Sequence, residues 1–190
     1  MPHAGMIALF AIAAATIQAS HALLYAFASL QWRREGYGDA FIGVLWAAGV
    51  ATETLFFIVL GPRIGEARAL ALLLAGGAVA VLRWLCMAAV SGAGALFLLQ
   101  LLHAATYGAT QLGAVYLLSQ LAGAERRAQA QGWLSAAGAL SLASATFASG
   151  FLQAEYGRDA YLFMGAIAAA GLMLAGFAGL RLRRIAARRG

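Results

Sequence analysis

Stretches of apolar residues, each long enough to cross a bilayer, follow one another along the chain with only short interruptions. A helix needs about 20 mostly apolar residues to traverse the hydrocarbon. The pattern predicts six such helices, at 5–30, 39–61, 68–90, 95–121, 128–152 and 159–181. The breaks fall at Gln31 to Gly38, Gly61 to Ala67, Ser91 to Gly94, Ala122 to Arg127 and Gln153 to Arg158. Each carries charge, glycine or proline, and none is long enough to hold a soluble domain. Residues 1–190 therefore read as a single all-α transmembrane domain, closed by a basic tail at 182–190. Met1-Pro2-His3 lacks the positive region of a signal peptide, and the apolar stretch behind it outruns the usual ~7–15 residues. The first helix is expected to be retained.

Composition strengthens the membrane reading. Apolar residues make up 63% of the chain and charged residues 11%, with a mean hydropathy of +0.81. A soluble domain lies nearer half apolar and a quarter charged. All 13 basic residues are arginine, for a formal charge of +6. A nucleic-acid footprint would gather them on one folded face, whereas here they collect at the ends of the apolar stretches. Nine of them (Arg63, Arg68, Arg126, Arg127, Arg181, Arg183, Arg184, Arg188 and Arg189) fall on one predicted side, and Arg33, Arg34 and Arg158 on the other. The positive-inside rule then puts both termini in the cytoplasm, in a bacterial inner membrane. The partners expected from charge are membrane lipids, an anionic surface facing the tail, and no nucleic acid. Cys86, the one cysteine, reads as a small apolar side chain.

Against this background the polar residues within the spans stand out. An ionisable group in the hydrocarbon costs at least a few kcal/mol, so it turns toward a cavity or a partner. His21, Glu53, Arg83 and His103 are such groups. Gln18, His21, Tyr25 and Ser29 recur at helical spacing in the first span, and Gln100, His103, Tyr107 and Gln111 do so in the fourth. Trp46, Gly49, Glu53 and Phe57 share a face of the second. Counting about 1.5 Å of rise per residue puts His21, Arg83 and His103 about 20 Å from the cytoplasmic edge, and Glu53 and Gln111 about 10 Å from it. That predicts two polar layers in one cavity. Other readings stay open: either histidine bonding a backbone carbonyl, Glu53 serving only to pair Arg83, or Arg83 snorkelling outward. Gly165, Gly171, Gly176, Gly179 and the stretch from Ser135 to Ser149 read as packing surface, where small residues let helices approach closely.

An internal echo adds to the pattern. Gln18-Ala-Ser-His21-Ala-Leu-Leu-Tyr25 and Gln100-Leu-Leu-His103-Ala-Ala-Thr-Tyr107 share Q-x-x-H-A-x-x-Y, three predicted helices apart. That is the relation expected of a 3+3 inverted repeat. These segments, with Leu82-Arg83-Trp84, the loop Glu125-Arg126-Arg127-Ala128-Gln129-Ala130-Gln131-Gly132 and the turn Gly61-Pro62-Arg63-Ile64-Gly65, carry a family resemblance. The chain resembles the C-terminal half of a major facilitator superfamily transporter. The closest branch is that of the phenylpropionate-permease-like proteins, relatives of nucleoside and galactoside proton symporters. Two departures accompany it. A complete transporter of this type has twelve helices, and Gln111 stands where the family often has a second histidine.

The resemblance implies alternating access around a midplane site, with spans one and four lining the cavity and span two beside it. The expected solute is a small organic molecule, anionic or aromatic, taken up with protons. Arg83 and His103 would draw its negative group, Glu53 would carry or balance the proton, and Gln18, Tyr25, Gln100, Tyr107 and Gln111 would line the pathway. No cofactor or metal is expected. An intramembrane protease would need a histidine after the serines at 135–149, and no histidine follows them. The other reading is a non-transporting remnant or assembly partner, which would cover its polar stripes with a separate six-helix half or a homodimer mate.

Overall fold

The computed structural model describes residues 4–64 and 68–188. His3, Gly65 of the glycine-and-arginine turn, and Arg189 of the tail lie outside the described residues. Eight α-helices make up most of the described chain: α1 (Ala4–Ala19), α2 (Ala22–Arg34), α3 (Asp39–Leu55), α4 (Ala69–Ala89), α5 (Ala93–Leu101), α6 (Ala109–Ala122), α7 (Arg127–Tyr156) and α8 (Ala160–Ala187). A π-helical turn, Phe56–Leu60, extends α3, and another, Ala104–Gly108, joins α5 to α6. There is no strand among the described residues. By length and composition four stretches can cross a membrane: Ala4–Arg34, Asp39–Arg63, Ala69–Ala89, and Ala124–Ala187, which holds two helices end to end.

The expected first and fourth helices are both interrupted. α1 tightens at its end, where the Ser20 and His21 amides donate to Ile17 and Gln18 carbonyls, and α2 restarts from His21. In the second case the chain turns at Leu102 before entering the π segment. Neither break holds glycine or proline, which is why the apolar pattern ran straight through them. The expected basic tail begins as helix. Through Ala187 it continues α8, because Leu182 and Ile185 still pack against the core. Arginines at that end also suit the negative pole of the helix.

α1 lies at the centre, packed against α8, α7 and α6, while α4 packs against α8 and α6. Phe10, Ile17, Leu73, Trp84, Tyr161 and Met164 are almost fully enclosed in this core. Glycine sets two of the closest approaches. A Cβ on Gly171 of α8 would lie 2.8 Å from Ile17 N and 2.9 Å from Ala13 O of α1. One on Gly113 of α6 would lie 2.6 Å from Leu73 N of α4. Gly165 and Gly179 also face neighbours, whereas Gly176, read as packing surface, meets nothing within 4 Å. α3 is attached loosely, with only Ile42, Leu45 and Gly49 buried along it.

Candidate functional site

The two breaks bring the polar residues of α1–α2 and α5–α6 face to face. In both echo segments the chain leaves the regular helix at the residue before the histidine, Ser20 in one and Leu102 in the other. A break frees backbone groups that must find partners, and here side chains supply them. Ser20 Oγ donates to Ile17 O and accepts from Trp84 Nε1 at 2.8 Å, tying the first break to α4. The His21 and His103 rings meet edge to face with centroids 5.6 Å apart. Tyr107 stacks on His103, 5.6 Å between centroids and 7° from parallel.

Arg83 enters this cluster from α4. Its side chain is fully buried, and its guanidinium donates to Gln100 Oε1 (3.0 Å), Thr106 Oγ1 (3.2 Å) and His103 Nδ1 (3.3 Å). It also lies beside the Trp84 ring, 4.9 Å from the centroid. An arginine can only donate, so a bond into Nδ1 requires that nitrogen to be unprotonated. His103 is then the neutral tautomer with its proton on Nε2. That N–H points toward Glu53 Oε2 at 3.4 Å and the Tyr25 hydroxyl at 3.4 Å. His103 is thus wedged between the cation and the carboxylate. Arg83 itself has no carboxylate within 4 Å among the described residues. Neither Arg83 Nε nor Gln100 Nε2 has a hydrogen-bond partner among the described residues.

Thr106, in the π segment, is a hub with more neighbours than protons. Its hydroxyl accepts from Arg83 and also lies 3.1 Å from His21 Nε2 and 3.1 Å from the His103 carbonyl. His21 Nδ1, at 3.2 Å from Gln18 O, must be protonated to bond there. Such π turns recur at functional sites because they shift side chains around the axis without ending the helix.

Two cavities flank the stacked pair. A cavity of about 180 Å³ is lined by Tyr25, Trp46, Gly49, Val50, Glu53, Gln100 and His103. Another, of about 220 Å³, is lined by Gln18, Tyr107 and Gln111 together with Leu134, Ser135, Gly138, Ala139 and Leu142 of α7. Of the residues singled out in the sequence, His21, Tyr25, Glu53, Arg83, Gln100, His103 and Tyr107 come together in one cluster. Gln18 and Gln111 bond each other at 2.5 Å instead. The two expected layers do not separate Glu53 from His103, since rise counting neglects helix tilt and the several ångströms that each side chain reaches. Trp84 was not foreseen as a member of the cluster. Its signal was adjacency to the one arginine placed within a span.

Three comparisons bear on this arrangement. The MFS_1 like family model matches residues 3–164. The probable 3-phenylpropionic acid transporter of Escherichia coli (strain K12) is 30% identical over 159 residues, covering 83% of this chain and 42% of that protein. The chain thus spans less than half the length of this relative. No solved structure matches.

Proposed function

The chain belongs to the MFS_1 like family of membrane transporters, and on that premise we propose that it supplies six membrane helices of an alternating-access carrier for a small aromatic carboxylate. Six spans are the reading in which two broken rods (α1–α2 and α5–α6) join four continuous ones (α3, α4, α7 and α8). The paired breaks and the meeting of His21 with His103 support a 3+3 inverted repeat. Both termini face the cytoplasm, because the arginine-rich ends of the helices lie on one side.

The observation that carries the proposal is the buried Arg83, held by three neutral partners beside an aromatic cavity. A buried cation is stable only when compensated, and a solute carboxylate reaching the unpartnered Gln100 Nε2 would compensate it. Tyr25 and Trp46 offer faces for an apolar ring. The relative's name specifies 3-phenylpropionic acid, which has both features, a carboxylate and a ring. Glu53 completes the scheme as the proton site. Ionised, it opposes the solute's charge; protonated, it leaves Arg83 as the uncompensated charge of the cluster and favours entry of the anion. Proton and solute would therefore bind cooperatively and move together.

Uptake of radiolabelled 3-phenylpropionate by cells producing the protein tests this, with membrane insertion checked in parallel. Arg83→Leu should reduce uptake by about a hundredfold or more, the loss expected when one member of a buried charge interaction is removed. Glu53→Gln should leave uptake that no longer responds to an imposed proton gradient. Unchanged uptake in Arg83→Leu would remove the anion site from the proposal.

A further inference from the structure

A further cavity lies away from this cluster, where α8 leaves its apolar stretch. It measures about 450 Å³ and is lined by Arg181, Arg184 and Arg188 with Met6 and Ile185. Residues 181, 184 and 188 are spaced by three and four, so the three guanidinium groups share one face of α8. Arg181, Arg183, Arg184 and Arg188 are all exposed, and Arg183 alone of them does not line the cavity. The floor is apolar: Met6 of α1 is buried and Ile185 packs against the core. One turn back, the Arg181 guanidinium lies 5.3 Å from the centroid of the Phe177 ring, which is half exposed at the level of the apolar stretch.

The opposite end of the molecule treats its arginines differently. There Arg33 pairs with Asp39 at 2.7 Å and Arg158 with Glu35 at 2.6 Å. Arg181, Arg184 and Arg188 instead surround a space that an anion with an apolar extension would fill.

We infer that this cavity holds the phosphate headgroup of an anionic phospholipid, its acyl chain running down α8 past Phe177. A phosphodiester offers acceptors to several guanidinium groups at once. The apolar floor and the ring below it suit the glycerol and upper chain, which a free phosphate ion would leave uncovered. Basic pockets at the cytoplasmic ends of helices recognise lipids in this way.

The test uses the purified protein in nanodiscs of phosphatidylcholine or of equal parts phosphatidylcholine and phosphatidylglycerol. Retained phosphatidylglycerol is counted by native mass spectrometry. Arg181→Gln, Arg184→Gln and Arg188→Gln should each weaken retention roughly fivefold, the effect of one arginine near an anionic headgroup. Arg183→Gln should leave it unchanged. Equal losses in Arg183→Gln and the three others would overturn the site in favour of diffuse charge attraction, and so would no loss in any. In the phosphatidylcholine discs, inorganic phosphate should not raise the melting temperature. A rise matching that given by phosphatidylglycerol would reassign the cavity to free phosphate and overturn the lipid.

Discussion

The two broken rods differ in chemistry from the long helices α7 and α8. α1–α2 and α5–α6 carry His21, Gln100, His103 and Thr106 and leave the regular helix at the residue before each histidine. α7 and α8, of 30 and 28 residues, run without interruption and hold no ionisable residue in their middle turns. A continuous helix satisfies its own backbone, so apolar and small side chains suffice along it. An interrupted one needs polar neighbours, and those neighbours make a site. Packing predominates along α7 and α8, while the chemistry sits on the broken rods, completed by Arg83 of α4 and Glu53 of α3.

The sharpest way to break this comparison is to spoil the unbroken side. Gly171→Leu would drive a side chain into the α1 backbone, and overpacking of this kind costs about 3 kcal/mol or more. Extracted protein should aggregate on size-exclusion chromatography, while Gly176→Leu, with nothing within 4 Å, should elute normally. On the broken side, Thr106→Val keeps the shape but removes an acceptor from Arg83. A hydrogen bond to a charged group is worth roughly 1.5–3 kcal/mol, so the apparent affinity for solute should fall at least tenfold, with Thr106→Ser restoring it. Trp84→Phe deletes the bond that anchors the Ser20 break to α4. Interhelical bonds in membranes average about 0.6 kcal/mol, which predicts a melting temperature lower by a few degrees. Leu140 of α7 is 72% exposed, and Leu140→Ala should change stability by no more than about 0.5 kcal/mol and leave uptake unchanged.

Much of the fold was legible because apolar length is a strong signal. The inward course of Arg83 was legible too: a permanent charge midway along an apolar helix has few other places to go. The breaks were not. Ser20-His21 and Leu102-His103 carry no residue that forbids helix, and only the packing of distant segments decides that the axis shifts there. For the same reason helical spacing puts Gln18 and Gln111 in separate stripes, although they bond each other across the bundle. The wedge of His103 between Arg83 and Glu53 depends on side-chain reach, which helical spacing does not encode.

The glycine contact between α1 and α8 has a consequence for biosynthesis. Ile17 leaves the ribosome long before Gly171, and at about 5–20 residues per second the interval is on the order of ten seconds. The most enclosed stretch of the chain, with 78% of its apolar window buried, is therefore made well before the surface that encloses it. For the first part of that wait, until Trp84, Thr106 and Gln111 are made, Gln18, Ser20 and His21 sit in the insertion machinery or in lipid without them. Quality control of this protein should act there, on a nascent helix holding polar groups that its own later residues will satisfy.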